Sequence, residues 1–255
     1  MSQPIGLIGL GAMGRGMAQS LRRAGYLVHV SDVRAEATQA FVADGGVACA
    51  HPAGVAARCD VVVSVVVNAA QTESVLFGEH GAAAAMEPGH LFVMCSTVDP
   101  NVSIAFEQRL AERGVLYLDA PISGGTAKAA SGQMTMMTAG RPEAYAKAGG
   151  ALAAMAAQVY KLGDQAGNGS KVKIINQLLA GVHIAAAAEA MALGLREGVD
   201  AAALYDVITH SAGTSWMFEN RMAHVLSGDY TPLSAVDIFV KDLGLVLDTA
   251  RATKF

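Results

Sequence analysis

The chain has 255 residues, of which 53% are hydrophobic but only 5% aromatic, and 28 are glycine. Charged residues make up 16%, with 18 Lys and Arg against 22 Asp and Glu, a net charge of −4. This balance excludes intrinsic disorder, which needs low hydrophobicity and high net charge, and with no basic run it excludes nucleic acid as a partner.

Short apolar runs and helical stretches alternate through the first half. Pro4–Leu10 reads as a buried strand, followed by a helix over Ala12–Ala24, a strand over Leu27–Ser31 and a helix over Ala35–Ala43. Val61–Val67 is a third strand and Leu91–Cys95 a fourth, followed by a helix over Asn101–Arg113 and a strand over Val115–Leu118. Strands that are continuously apolar rather than alternating, and that are spaced by helices, indicate a parallel sheet covered on both faces, a doubly wound α/β layer. Gln133–Ala139 and Gln158–Leu162 read as two further strands around a helix over Pro142–Ala156. After the glycines at 163, 167 and 169 the strand signal ends. Long helical patterns follow over Ser170–Glu197, Ala201–Thr209, Trp216–Leu226 and Ser234–Ala252. The expected division is an α/β domain over residues 1–165 and an all-α domain over residues 166–255.

A mean hydropathy of +0.36 raises the question of a membrane. The longest apolar helical stretch, Leu178 to Leu195, contains His183 and Glu189, and no uninterrupted run approaches the roughly 20 apolar residues of a bilayer span. No signal-peptide pattern opens the sequence. Cys49, Cys59 and Cys95 form no CxxC pair, which points to a reducing, cytoplasmic setting. The seven histidines form no HExxH, so no metal is expected.

Gly9-Leu10-Gly11-Ala12-Met13-Gly14 lies between the first strand and the first helix. In such a turn the first glycine permits the tight reversal, the second lets a pyrophosphate approach, and the third lets helix and strand pack closely. The helix N-terminus then faces the phosphates. Asp32 closes the second strand 18 residues beyond Gly14, where a carboxylate binds the ribose 2′-hydroxyl and repels a 2′-phosphate, favouring NAD over NADP. The alternative role for Asp32 is a helix cap ahead of Ala35. Thr97 follows the fourth strand, and Val67-Asn68 follow the third. Both places suit ligand contacts at strand carboxyl ends, although Ser96, Thr97 or Asp99 would equally serve as a helix cap.

Asp119-Ala120-Pro121-Ile122-Ser123-Gly124-Gly125 follows another strand. Ser123, Gly124 and Gly125 offer a hydroxyl and unobstructed N–H groups, a nest for a carboxylate or an ordinary turn. Lys173, Asn176 and Gln177 are spaced i, i+3 and i+4 near the start of the long helix and share one face. A lysine at a helix N-terminus is electrostatically disfavoured, which lowers its pKa and suits a general base; the alternative is a snorkelling side chain. Lys241 precedes Asp242, by default a surface charge pair. Trp216 walls a pocket or belongs to the core.

These segments occur together and in order. The chain resembles the β-hydroxyacid dehydrogenase family in GLIGLGAMG at Gly6–Gly14, DAPISGG at Asp119–Gly125, GNGSKVKIINQ at Gly167–Gln177 and KDL at Lys241–Leu243. The resemblance implies a Rossmann-type NAD-binding domain followed by an all-α domain for substrate and oligomerisation. It implies that Lys173 is the catalytic lysine, that Ser123, Gly124 and Gly125 hold the substrate carboxylate, and that Thr97 and Lys241 touch cofactor or substrate. Many members carry Asn four residues after that lysine; here Gln177 stands there and Asn176 at three, so either amide is a candidate to orient the substrate hydroxyl. The implied cofactor contacts are Gly9, Gly11, Ala12, Met13, Gly14, Asp32, Val67, Asn68, Thr97 and Lys241.

The implied reaction is oxidation of a small hydroxy acid, an aldonate such as L-threonate at C2. The alternatives are a 3-hydroxy acid substrate, tartronate semialdehyde reduction, or a dinucleotide-binding sensor without turnover. A homodimer or homotetramer is expected, and a second domain that continues beyond Phe255.

Overall fold

The computed structural model describes residues 3–231 and 235–255. Two compact units are present, Met1–Lys173 and Ile174–Phe255. The first opens with β1 (Ile5–Ile8), α1 (Gly14–Arg23), β2 (Val28–Ser31), α2 (Ala35–Ala43), β3 (Val47–Ala48), α3 (Pro52–Ala56), β4 (Val61–Ser64) and α4 (Ala69–Phe77). It continues with β5 (Leu91–Met94), α5 (Pro100–Ala111), β6 (Leu116–Asp119), β7 (Ile122–Ser123), α6 (Gly125–Ser131), β8 (Met134–Thr138), α7 (Pro142–Met155) and β9 (Ala156–Lys161).

Six strands form one sheet in the order β3-β2-β1-β4-β5-β6, with every neighbouring pair parallel. The order reverses at β1, which is the crevice where doubly wound sheets bind their ligands. Successive side chains of each strand enter opposite cores. Ile5, Leu7, Val61, Val63, Leu91 and Val93 pack with Met17, Leu21, Phe41 and the apolar face of α7. Ile8, Val62, Phe92 and Met94 pack with Val55, Leu76, Phe106 and Leu110 of α3, α4 and α5. Burial on both faces is why these strands are mostly apolar at successive positions rather than alternating.

The strands expected over Gln133–Ala139 and Gln158–Leu162 do not extend this sheet. β8 and β9 form a second, three-stranded sheet with β7, antiparallel between β7 and β8 and parallel between β8 and β9. The short pieces β3, α3, α4, β7 and α6 were not anticipated. β3 and β7 have only two residues each and α3 only five, too short for a periodic signal.

The helix α8 (Asn168–Arg196) runs 29 residues. The second unit adds α9 (Ala201–Thr209), α10 (Trp216–Ser227) and α11 (Asp237–Thr253). The expected start of the last helix at Ser234 lies outside the described residues. A small core gathers Ala187, Met191, Phe218 and Met222. Trp216 is not part of it; 49% of its surface is exposed at the first turn of α10. By length and composition α8 is apolar enough to cross a membrane. That criterion averages over a window, in which the many alanines offset His183 and Glu189; the uninterrupted apolar run that the sequence lacks is a different requirement. Such a score also arises in helices of soluble proteins.

At the crevice, a Cβ on Gly14 would run into the Gly9 carbonyl oxygen and lie 3.3 Å from the Val65 Cβ. Gly14→Ala should therefore destabilise the fold by about 1–3 kcal/mol, the usual cost of overpacking. A urea midpoint equal to that of the parent chain would show that the β1–α1 junction relaxes without cost.

Candidate active site

The first piece of the site is the β1–α1 turn. Gly9 has φ +95°, a conformation that only glycine adopts without strain. Nothing lies within 4 Å of the space a Cβ would take at Gly11. That opening gives backbone N–H groups room to meet a pyrophosphate, as the second glycine of such a turn must. Ala12 and Met13 complete the turn, and α1 begins at Gly14, two residues later than the sequence suggested. A cavity of about 620 Å³ opens here, lined by Gly9, Gly11, Asp32, Val33 and Val67 among others. Asn68 and Thr97 are not among its lining residues. The free space at Gly11 and the carboxylate beside it fit a dinucleotide.

Asp32 closes this cavity from the end of β2. Its Oδ2 accepts the Leu10 N–H at 2.6 Å, and its Oδ1 accepts the Arg34 N–H at 2.8 Å and the Arg34 Nε–H at 3.2 Å. The Arg34 guanidinium also reaches the Leu10 carbonyl oxygen at 3.2 Å. Asp32 thus ties the glycine turn to β2. It does not cap α2, whose N-cap is Arg34. Burial pushes the Asp32 carboxyl up, but the hydrogen bonds from Arg34 and Leu10 outweigh it and hold the group below the usual carboxylate range.

His51 and His80 line the same cavity, with stacked rings 4.7 Å apart. Sequence reasoning missed both. The available signal was His51 directly before Pro52, an N-cap followed by proline at the first helical position; the His51 Nδ1 accepts the Gly54 N–H at 3.1 Å.

Asn68 caps α4, its Oδ1 accepting the Gln71 N–H at 2.9 Å. The side-chain oxygen is therefore spent on structure. The Val67 N–H donates to Gln71 Oε1 at 2.8 Å. After β5, Asp99 rather than Thr97 is the cap of α5, and the hydroxyls of Ser96 and Thr72 pair at 2.9 Å.

The second piece lies beyond β6. Ser123 ends β7, Gly124 has φ +140° as N-cap of α6, and the space beside Gly125 is open. Asp119 precedes it, fully buried. Its Oδ2 accepts the N–H groups of Gly167 and Ser170 at 2.9 Å each, and its Oδ1 accepts the Ser170 hydroxyl at 2.7 Å. Burial pushes the Asp119 carboxyl up, against the downward pull of the Ser170 and Gly167 donors. Lys173 follows one turn later on α8 and is buried.

The third piece belongs to the second unit. The Asn176 Nδ2 donates to Gln177 Oε1 at 3.0 Å, and the Gln177 Nε2 donates to Asp242 Oδ2 at 2.6 Å. The Lys241 Nζ stands 2.8 Å from Asp242 Oδ1. Asp242 is 2% exposed, so the expected surface charge pair is instead anchored on a buried carboxylate. Sequence reasoning missed Asp242 as the acceptor for Gln177; its one signal is a charge set among apolar helical residues.

Residues 4–163 match the family of the NAD-binding domain of 6-phosphogluconate dehydrogenase. Residues 167–255 match the NAD-binding region of NADP-dependent 3-hydroxyisobutyrate dehydrogenase. An L-threonate dehydrogenase of Cupriavidus necator is 69% identical over all of this chain and 86% of its own length. An L-threonate dehydrogenase of Escherichia coli K12 is 49% identical over 98% of this chain and 83% of its own. Among solved structures, a 3-hydroxyisobutyrate dehydrogenase from Salmonella typhimurium superposes with a TM-score of 0.93 at 49% identity, covering 100% of this chain and 89% of that one.

The depressed titration of Asp32 has a measurable consequence. Its contribution to stability is fully present above the unfolded-state pKa of about 3.9 and is lost as pH falls through the lower folded-state value. The stability deficit of Asp32→Asn, measured by urea unfolding, should be constant from neutral pH to about 4 and shrink below it. A deficit that persists undiminished into stronger acid would remove the charge as its cause.

Proposed function

The chain belongs to the β-hydroxyacid dehydrogenase family, and we propose that it catalyses the NAD-dependent oxidation of L-threonate at C2 to the 2-oxo acid. The observation that carries this reading is the 69% identity to an L-threonate dehydrogenase across the whole chain, joined to a dinucleotide cavity closed by the Asp32 carboxylate. When bound, NAD supplies the acceptor for the hydride that leaves C2.

The protein supplies orientation and a proton path. Gly9, Gly11, Ala12, Met13 and Gly14 receive the pyrophosphate, and Asp32 receives the adenosine ribose. Val67, Asn68, Thr97 and Lys241 complete the cofactor contacts, Asn68 through its amide N–H because its oxygen caps α4. The Ser123 hydroxyl and the N–H groups of Gly124 and Gly125 hold the substrate carboxylate.

Neutral Lys173 accepts the C2 hydroxyl proton at Nζ while the O–H electron pair becomes the second C–O bond. In reduction, protonated Lys173 polarises the carbonyl and returns that proton. Gln177 is engaged at both ends of its amide, by Asn176 and Asp242. Asn176, whose carboxamide oxygen lies outside that chain of bonds, is therefore the better group to orient the hydroxyl, with Gln177 holding it.

The working form in this reading is a cytoplasmic homodimer or homotetramer. Leu179, Val182, Leu193 and Leu195 of α8 and Val240 and Leu247 of α11 are each more than half exposed, which supports the reading of a subunit interface on these helices. Light scattering after size exclusion should give a mass of two or four chains. A monomer at micromolar concentration would overturn this part.

The chemistry is tested by NADH formation on L-threonate, its stereoisomers and 3-hydroxy acids. L-threonate should be the preferred substrate, and Lys173→Ala should lower turnover at least ~10²-fold with NAD still bound. Preference for a 3-hydroxy acid would reassign the substrate. NAD binding without turnover of any acid would favour a sensor.

A further inference from the structure

The proposed proton transfer depends on where the Lys173 Nζ stands, and the first turn of α8 is seated on the Asp119 carboxylate. Asp119 receives three hydrogen bonds from residues 167 and 170. They satisfy two of the N–H groups that a helix N-terminus leaves without intrahelical partners, and they set a negative charge against the positive end of the helix dipole. Among the described ion pairs none involves Asp119, so these donors, the Ser103 hydroxyl and the dipole offset its burial.

Ser170 lies three residues before Lys173, so clamp and lysine occupy one face, a turn apart. The fit leaves little play. A Cβ on Gly169 would run into the Met137 carbonyl oxygen and come within 3.1 Å of both the carbonyl and the carboxylate of Asp119. The Asp119 backbone is fixed in turn, its N–H donating to the Ala139 carbonyl at 3.0 Å and its carbonyl accepting the Ala139 N–H at 2.8 Å. The helix start thus has contact on one side and hydrogen bonds against withdrawal.

We propose that Asp119 is a positioning residue for the reaction, setting the place of the Lys173 Nζ relative to the carboxylate nest at Ser123–Gly125. The nest begins four residues further along the same segment. One short stretch of chain would therefore fix both the point where the substrate carboxylate is held and the group that takes its proton. The inference rests on the reading of Lys173 as proton acceptor.

The test compares Asp119→Asn, Asp119→Ala and Ser170→Ala in the full chain. Three readouts are needed: kcat and KM for L-threonate, the Kd for NAD, and the Cε–H signal of Lys173 in protein labelled with [13C]lysine, assigned by its loss in Lys173→Arg. Asn retains an oxygen for the two N–H groups and an N–H₂ for the Ser170 oxygen. Asp119→Asn should therefore keep most of kcat and a Lys173 signal close to the parent position. Asp119→Ala should lower kcat on the order of 10²-fold, the penalty of a displacement of about 1 Å, with the NAD Kd unchanged and the Lys173 signal moved toward those of exposed lysines. Ser170→Ala should change both in the same direction by less.

Should Asp119→Ala fail to fold, Ser170→Ala and Asp119→Asn carry the comparison. Parental kcat and an unmoved Lys173 signal in folded Asp119→Ala, or in Ser170→Ala where the former does not fold, would overturn the proposal. Should the parent chain turn over no hydroxy acid, the substrate reading fails, and the Lys173 signal alone still decides whether the clamp sets the lysine.

Discussion

A carboxylate buried at the end of a strand, holding the first turn of a helix, is the contact on which the chemical end of the first unit depends. Removing a charge from water is expensive, and Asp119 is retained because three donors converge on it and the helix presents its positive end. The same solution recurs in each piece of the site with different partners. Asp32 is satisfied by the Leu10 N–H and by Arg34, and so ties the glycine turn to β2. Asp242 accepts the Gln177 amide N–H and forms an ion pair with Lys241, and so ties α11 to α8. Each of these acids joins an element bearing candidate site residues to a neighbour distant in sequence. An apolar contact would do this with less directional precision, because it fixes no hydrogen-bond geometry.

The glycines divide the complementary work. At Gly9 the backbone conformation matters, at Gly11 the empty space, and at Gly14 and Gly16 the closeness of neighbouring backbone. A Cβ at Gly16 would stand 2.7 Å from the Ala130 nitrogen, so α1 and α6 touch backbone to backbone. The Ser20 hydroxyl reinforces that contact by donating to the Ala129 carbonyl at 2.9 Å. Small side chains in these helices therefore bring the glycine turn and the segment after Ser123–Gly125 into one closely packed layer.

Much of this was legible in the chain itself, and the reason is physical. Strands buried on both faces must be continuously apolar, which made β1, β2, β4, β5 and β6 visible, and α2 and α9 have the bounds that periodicity gave. What escaped was set by distance or brevity. β7 and β3 are too short to carry a pattern, and the separate sheet of β8 and β9 could not be read because sheet membership is a tertiary fact. The candidate residues stood out where a local motif surrounded them. Partners separated by many residues did not, as with Asp119 and Ser170 at 51 residues or Gln177 and Asp242 at 65. Nothing near Asp119 in sequence announces its partners, and the exposure of Trp216 was equally invisible.

The all-parallel order of the sheet carries a consequence for how this molecule comes into being. No neighbouring pair in it is joined by a hairpin, so each pairing must wait for an intervening crossover. Such non-local pairings make folding slow. On the ribosome, β6 emerges after the other five strands, and the start of α8 some 50 residues later still. The lysine's setting therefore cannot exist until the sheet is closed and the segment through Ser170 has left the exit tunnel. A nascent chain would be able to form the glycine turn after β1 long before Lys173 could take its buried place at the start of α8.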